Sequence, residues 1–299
     1  MPAIGKSSSI QLNSIVFATD FSPASQNAGL YASAVSVRFG TNLVVAHAFT
    51  LTQAALEVEA EKPIASEQRS NLYHDLTLTA EILDAGRGTT ETVLLEGDPC
   101  RVIPGLAKNR STVLIVLGTH GRGSIDRYIL GSTAEGILRH STGSTLTVGP
   151  NVNILRAGAL NIRRVLFATD CSPEAAHAAP VAVALAEAFS SDLDVLNVVR
   201  SNDIDHPEQL HRLQQHFYGA VEAILPHDVD QICQPHTFVR VGKPHTDILK
   251  HIEEREIDLL ILGLHRNTHL GMQNRTSGAF PIIAKATCPV ITVAYGPIV

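Results

Sequence analysis

The chain of 299 residues repeats itself. The segment SIVFATDFSPAS at residues 14–25 returns as RVLFATDCSPEA at residues 164–175, an offset of 150. Later landmarks recur at an offset of 145, among them Gly97 with Gly242, Pro99 with Pro244, and Gly118 with Gly263. A repeat of this length is the signature of a duplicated domain. We therefore expect two domains, residues 1–150 and residues 151–299, with a linker at residues 150–162.

Each copy alternates strand and helix signals. Five runs in the first copy are rich in Val, Ile and Leu and apolar on both faces, as buried parallel strands are. They read IVFAT, NLVVAHAF, ETVLLEG, TVLIVLG and TLTVG. Ser22 before Pro23 predicts the start of the first helix, and Gly40 predicts its end. A further helix is expected over residues 71–84, after a flexible polar segment at residues 60–70.

This alternation predicts an α/β fold, because parallel strands need long right-handed crossovers, which helices supply. The expected architecture is two tandem Rossmann-like doubly wound domains, each with a five-stranded parallel sheet. Ligands bind such sheets at the carboxyl ends of the strands, where the strand order reverses.

Composition excludes several classes of protein. A net charge of −6 without a Lys and Arg cluster argues against binding nucleic acid through its phosphates. No apolar run reaches the ~18 to 20 residues that span a bilayer, and the first residues lack the apolar core of a secretory signal, so we expect a cytoplasmic protein that does not bind membranes. The cysteines show neither a zinc nor a disulfide pattern; they are Cys100, Cys171, Cys233 and Cys288.

The loop GTHGRGSIDRYILGST at residues 118–133 joins the end of a predicted strand to a helix that begins near Ser132. Free N–H groups and the helix dipole at such a helix start attract anions. Gly121 and Gly131 can adopt positive φ, and their missing Cβ lets a phosphate approach the backbone. The loop lacks the lysine of a Walker A motif, so Arg122 or Arg127 would supply positive charge. The glycines alone fit a plain turn equally well.

The spacing of these glycines carries a resemblance. Gly118, two residues, Gly121, nine residues and then Gly131-Ser132 form a G-2x-G-9x-G-S/T pattern. This pattern resembles the ATP-binding branch of the universal stress protein family, as do FATDFS and VVAHAF, and the resemblance covers the whole chain as two tandem copies. It implies a stress-response protein that binds ATP, with Mg²⁺ expected beside the phosphates.

The resemblance also implies where the nucleotide lies, namely across the carboxyl ends of the first, second and fourth strands. Asp20 would face the adenine, and the backbone around Ala48 would contact its edge. The full set of implied cofactor-binding residues is Asp20, Ala48, Gly118, His120, Gly121, Arg122, Gly131, Ser132 and Thr133. An alternative role for Asp20, compatible with the first, is to cap the following turn. His120 either approaches phosphate or is a solvent-facing loop residue.

The second copy departs from the pattern. Arg266 and Thr276 replace the second and third glycines, and Pro281 argues that the following helix begins later than its counterpart. These changes predict that the second copy does not bind ATP in the same manner and is structural or regulatory. The alternative is that Arg266 and Arg275 bind a different anion, such as AMP or an acidic metabolite.

Other roles stay open at the level of sequence. In the resembling family, copies pair through the last strand, here STLTVG and PVITVA, which predicts an internal pseudo-dimer that protects an apolar edge; a homodimer of chains and a downstream protein partner are left open. The alternatives to a nucleotide sensor are a slow ATP hydrolase or nucleotidyl transferase, and an interaction module with nucleotide as structural cofactor. No catalytic residue is predicted. No protein metal site is predicted either, because the histidines, such as His265 and His269, lack ligand partners at a familiar spacing.

Overall fold

The computed structural model describes residues 12–50, 62–84, 90–110, 113–120, 129–155, 160–200, 207–226, 229–265 and 278–295. These residues form two compact units. The N-terminal unit comprises Leu12–Pro150 with Ile154–Leu160, and the C-terminal unit comprises Asn161–Val299 with Asn151–Asn153. Within the described ranges, no helix is both long and apolar enough to cross a bilayer.

The N-terminal unit alternates strands and helices along the chain. Its elements are β1 (Ser14–Ala18), α1 (Pro23–Phe39), β2 (Asn42–Phe49), α2 (Lys62–Leu83), β3 (Thr90–Glu96), α3 (Pro99–Lys108), β4 (Val113–Gly118), α4 (Ser132–His140) and β5 (Ser144–Val148). The strand order is β3-β2-β1-β4-β5, and each pair of neighbours is parallel. The order therefore reverses at β1, which lies between β2 and β4.

Local sequence explains how α1 begins and ends. Ser22 is the N-cap, and its hydroxyl accepts a hydrogen bond from the backbone N–H of Ser25 at 3.2 Å. Pro23 occupies the first helical position, where its missing N–H costs nothing. Gly40 closes the helix with a φ of 63°, a left-handed conformation that glycine adopts without strain. The predicted start and end of this helix are confirmed.

The prediction for α2 is wrong at its start. The helix begins at Lys62, within the segment expected to be flexible, and not near residue 71. Pro63 stands in the first turn, where proline is favourable. Glu67, Gln68 and Arg69 are exposed helix-forming residues, so their polarity marks a solvent-facing helix surface and not a loop.

The C-terminal unit repeats the same plan. Its elements are β6 (Arg164–Ala168), α5 (Pro173–Ala176), α6 (Ala179–Phe189), β7 (Asp192–Arg200), α7 (Pro207–Ile224), α8 (Val229–Ile232), β8 (Pro235–Gly242), α9 (Pro244–Glu254), β9 (Leu259–His265), α10 (Ala279–Lys285) and β10 (Val290–Tyr295). The order β8-β7-β6-β9-β10 is parallel throughout. The predicted fold class, two Rossmann-like α/β domains in tandem, is confirmed. Pairing of the copies through their last strands stays a prediction.

The first helix of the repeat is continuous in the N-terminal unit but broken in the C-terminal unit. There α5 ends at Ala176 and α6 begins at Ala179, with Pro180 in its first turn. Proline lacks the N–H that a continuous helix would bond to the carbonyl of Ala176, and its ring would clash with that carbonyl. The corresponding residue of α1 is Leu30, which has neither restriction.

A buried charged group distinguishes the C-terminal unit. Asp194 on β7 is fully buried, and Val44 is the corresponding residue of the N-terminal unit. His251 on α9 donates from Nε2 to Oδ2 of Asp194 at 3.3 Å, and Nε of Arg255 donates to the same oxygen at 3.0 Å. Nδ1 of His236 lies 3.6 Å from the other carboxylate oxygen. We call Asp194, His251, Arg255 and His236 the Asp194 cluster.

The environment of Asp194 sets the direction of its pKa shift. Burial alone would raise the pKa, but hydrogen bonds and charges from His251 and Arg255 outweigh burial and hold the pKa below its ordinary value. A carboxyl whose pKa is depressed by folding stabilises the folded state above its unfolded-state pKa. That contribution is lost as the pH falls through the folded-state pKa.

We predict that Asp194→Val alone lowers the free energy of unfolding by about 1–3 kcal/mol, because His251 and Arg255 lose their acceptor. Adding His251→Leu installs both residues of the N-terminal unit, Val44 and Leu106, and should restore most of the loss. Denaturant titration measures both values. The gap between wild type and the single variant should narrow below about pH 4. A single variant as stable as wild type at neutral pH would contradict this account.

Candidate functional site

The site candidate in the N-terminal unit is the carboxyl edge of its sheet beside β1. The chain runs from β1 to β2 and β3 on one side of β1 and then returns to β4 on its other side, and a crevice opens at such a reversal. The centres of these strands are buried, whereas Ala18, His47, Ala48 and Gly118 at their ends are half-buried. Side chains and backbone at this edge are therefore within reach of a ligand.

The turn after β1 is held by its own side chains. Oγ1 of Thr19 accepts from the N–H of Phe21 at 3.0 Å, and Oδ1 of Asp20 accepts from the N–H of Ser22 at 3.0 Å. Phe21 has a φ of 62°, which is rare for a bulky residue and costs about 1–3 kcal/mol. The turn-capping role considered for Asp20 is thus present. It uses Oδ1, and no hydrogen bond to Oδ2 is found among the described residues.

His47 fixes the same turn from β2. Its Nδ1 donates to the backbone carbonyl of Thr19 at 2.7 Å, and its ring lies 4.5 Å from the ring of Phe21. A carbonyl oxygen can only accept, so Nδ1 carries the proton. The C-terminal unit keeps this contact with a different residue, because Nδ2 of Asn197 donates to the carbonyl of Thr169 at 2.9 Å. His47 is therefore a packed, hydrogen-bonded residue at the end of β2.

Two glycines allow the strand and helix ends of this edge to approach closely. A Cβ on Gly118 would lie 3.1 Å from the backbone of Ala24 in α1, and a Cβ on Gly131 would lie 2.9 Å from the carbonyl oxygen of Thr119. The N–H of Gly131 donates to that carbonyl at 2.8 Å. Gly131 does not use the positive φ that is open to glycine, since its φ is −61°. Glycine is required there for space.

Helix α4 begins directly after Gly131 and presents an uncapped amino end. Gly131 is the N-cap and has no side chain to accept from the first turn. Ser132 and Thr133, the first helical residues, are exposed. Their N–H groups and the positive end of the helix dipole can receive an anion. Ser132 is the first helical residue, so its hydroxyl lies one position beyond the N-cap.

His120 connects this helix start to the end of β4. The side chain is buried, with only 9% of the residue exposed, so the reading of His120 as a solvent-facing loop residue is wrong. Its Nδ1 lies 2.7 Å from Oγ1 of Thr119, which is itself fully buried. Its Nε2 is buried and finds no hydrogen-bond partner among the described residues. A buried polar atom without a partner costs about 1–3 kcal/mol.

Some predicted residues lie outside the described part of the chain. These are Gly121, Arg122 and Arg127 in the N-terminal copy, and Arg266, Arg275 and Thr276 in the C-terminal copy. Those that the structure does describe, Asp20, Ala48, Gly118, His120, Gly131, Ser132 and Thr133, all lie at the carboxyl ends of β1, β2 and β4 or at the start of α4. In the described ranges, no group of three or more His, Cys, Asp or Glu residues is placed to hold a metal ion.

Thr119 and Phe21 are members of this edge that the sequence reasoning did not select. A signal for Thr119 existed in the repeat, because the C-terminal copy keeps the neighbouring histidine as His265 but has Leu264 in place of Thr119. Phe21 gave no signal, because a bulky residue does not predict positive φ.

The C-terminal unit keeps the turn but not the helix start. Ser172 donates its N–H to Oδ1 of Asp170 at 3.0 Å, as Ser22 does to Asp20. Helix α10 begins at Ala279, two residues beyond Ser277, the counterpart of Ser132, and Pro281 is its third residue. The prediction of a later start is confirmed. With seven residues against nine in α4, the shortened helix carries its amino end away from the corresponding position.

Comparison of the sequence with known protein families gives two matches to one family. The model of the universal stress protein family matches residues 12–149 and again residues 161–294. The chain therefore belongs to the universal stress protein family and contains two copies of its domain.

Individual relatives agree in fold. A universal stress protein from Archaeoglobus fulgidus DSM 4304 superposes with a TM-score of 0.72 at 21% identity, covering 97% of this chain and 99% of that chain. A functionally unknown protein from Pseudomonas aeruginosa PAO1 has a TM-score of 0.61 at 13% identity, over 95% and 92% of the two chains. Universal stress protein E of Escherichia coli K12 is 31% identical over 110 residues, 37% of this chain. The match spans only 35% of the length of that relative.

We predict that Gly131→Ala lowers the free energy of unfolding by about 1–3 kcal/mol, because its Cβ would press on the carbonyl of Thr119. The matched control is Gly105→Ala in α3, where a Cβ meets nothing within 4 Å. That change should raise the free energy of unfolding by about 0.5–1 kcal/mol, since alanine is the better helix former. Thermal or denaturant unfolding of the two variants measures both free energies of unfolding. Equal values for Gly131→Ala and Gly105→Ala would contradict the close approach of Gly131 to Thr119.

Proposed function

We propose that the N-terminal copy, residues 1–150, binds an adenine nucleotide, ATP, in a stress-response protein. The observation that carries this proposal is the pairing of an uncapped helix start at Gly131-Ser132 with the buried, unpartnered Nε2 of His120. Among the described residues, no side chain caps this helix start and no group pairs with this Nε2. They lie at the strand-order reversal, where α/β sheets bind ligands.

The nucleotide would lie along this edge from β2 to α4. Asp20 would face the adenine with Oδ2, and the backbone of Ala48 at the end of β2 would contact the edge of the base. Gly118, Gly121, Gly131, Ser132 and Thr133 would hold ribose and phosphates through backbone N–H groups and hydroxyls. Arg122 would add charge to the same phosphates. Mg²⁺ would arrive with the phosphates, which supply its oxygen ligands.

The C-terminal copy, residues 151–299, would be the structural or regulatory partner. Support comes from α10, whose late start displaces its free N–H groups from the corresponding position and whose Pro281 lacks an N–H. The retained turn at Asp170 and the buried Asp194 cluster support a role in stability. The alternative from the sequence, an anion held by Arg266 and Arg275, would give a second ligand of a different kind.

The experiment that tests the proposal counts nucleotide per chain. Protein purified from cells is denatured, released nucleotide is quantified, and stripped protein is titrated with ATP in the presence of magnesium. We expect a single ATP per chain. Gly121→Arg, which copies Arg266 into the first loop, should abolish it, because the side chain would occupy the place of a phosphate.

The matched control is Arg266→Gly, the reverse exchange in the second copy. It should leave the count at a single ATP per chain, because α10 still begins too late to receive phosphate. Two nucleotides per wild-type chain would contradict the asymmetry between the copies. No copurified nucleotide and no uptake of added ATP would contradict the proposed function itself. Following ATP turnover in the same samples separates a binding protein from a slow hydrolase.

A further inference from the structure

His120 lies next to the start of α4 and carries a buried ring nitrogen, and both can interact with an anion. Its backbone is adjacent to the helix start, because a Cβ on Gly131 would lie 3.8 Å from Cα of His120. Its side chain is buried, and Nε2 lacks a partner among the described residues. The C-terminal copy, whose helix begins later, retains this histidine as His265 but not the threonine beside it. The arrangement of threonine, histidine and helix start is therefore particular to the first copy.

The contact with Thr119 determines what Nε2 can do. A threonine hydroxyl both donates and accepts, so the 2.7 Å contact with Nδ1 is satisfied in every protonation state of the ring. If the hydroxyl donates to Nδ1, the neutral ring carries its proton on Nε2 and donates from it. If the ring is protonated, Nδ1 donates to the hydroxyl and Nε2 still donates. Only the third state, neutral with the proton on Nδ1, leaves a lone pair on Nε2.

A phosphate oxygen discriminates between these states. It is an acceptor with negative charge, so it repels the lone pair on Nε2 and attracts the two forms that donate. Between those two, the negative charge of the phosphate favours the protonated ring, whereas burial by itself opposes it. The surrounding elements contribute charged groups of their own: Asp20 after β1, Asp98 at the start of α3, and the Glu135–Arg139 pair on α4, joined at 2.6 Å. Asp98 caps its own helix, and Asp20 already accepts from Ser22.

We propose that His120 donates from Nε2 to a phosphate of the bound nucleotide and that the site takes up a proton at this ring when phosphate binds. This inference rests on the proposed function and adds regulation to it, because affinity for phosphorylated ligands then depends on pH. Histidine is the side chain whose charge changes between about pH 5 and 8. A nucleoside has no phosphate to accept a hydrogen bond from Nε2, so its affinity should not depend on the protonation of His120.

The test is calorimetric titration of the full chain with adenosine, AMP and ATP at pH values from about 6 to 8.5, in two buffers of different ionisation enthalpy, which together count the protons taken up. Wild type should take up protons with AMP or ATP but not with adenosine. Because phosphate itself titrates near pH 6, every comparison is made between proteins with the same ligand.

Three variants separate the steps of the argument. His120→Leu removes the donor and should weaken phosphorylated ligands about tenfold, leaving adenosine within about twofold of wild type. His120→Gln keeps a neutral donor, so it should retain part of the affinity and lose the proton uptake assigned to the protein. Thr119→Val removes the hydroxyl that keeps Nε2 protonated and should weaken phosphorylated ligands without abolishing proton uptake. Adenosine binding shows in each case that the variant is folded.

The outcomes distinguish this inference from the function on which it rests. If wild type binds neither adenosine nor ATP, the proposed function fails. If wild type binds ATP, and His120→Leu and His120→Gln show wild-type affinity and wild-type proton uptake, the function stands and the role of His120 is overturned. If a histidine variant loses adenosine binding as strongly as ATP binding, His120 supports the fold of the edge and not the phosphate, which also overturns the proposal.

Discussion

Backbone N–H and C=O groups that follow the end of a strand no longer pair with the neighbouring strands. The structure of the carboxyl edge beside β1 depends on how these groups are hydrogen-bonded. At the end of β1 the N–H of Thr19 reaches the carbonyl of Ala46, and the carbonyl of Thr19 is taken by His47. The N–H groups of Phe21 and Ser22 are taken by the side chains of Thr19 and Asp20. The turn is therefore held in shape by its own side chains and by His47, without a ligand.

The end of β4 is closed differently, and this difference defines the candidate site. The carbonyl of Thr119 is satisfied by the N–H of Gly131, which draws the start of α4 against the strand. No side chain caps that helix, and one nitrogen of His120 is buried without a partner in the part of the chain that the structure describes. The turn after β1 is thus hydrogen-bonded within the protein, whereas the start of α4 beside β4 keeps polar groups that the described residues do not pair. Polar groups left incomplete at a helix start are what a bound anion satisfies.

Much of this could be predicted from the sequence, and the failures have physical causes. The repeat, the strand runs and the Ser22-Pro23 start depend on local patterns, so the fold class and α1 followed directly. The start of α2 did not, because polar residues on an exposed helix surface resemble those of a loop. Seven of the nine predicted site residues lie together at the edge, because strand ends of one sheet converge; Gly121 and Arg122 stay predictions. The burial of His120 and the Asp194 cluster depend on which residues meet across elements, which no local pattern encodes.

The left-handed conformation of Phe21 costs stability, and the contacts of its ring offset part of that cost. Glycine would adopt a φ of 62° without strain, whereas Phe21 does not. Cys171, the counterpart of Phe21 in the C-terminal unit, has a φ of 58° and is strained in the same way. In Phe21 the strain is accompanied by a ring contact with His47 that glycine would lose. In Cys171 no such stacking partner stands opposite, since Asn197 replaces the imidazole. Of these two counterparts, only Phe21 has a ring contact that offsets part of its strain, so an exchange of Cys171 for glycine would relieve strain without losing such a contact.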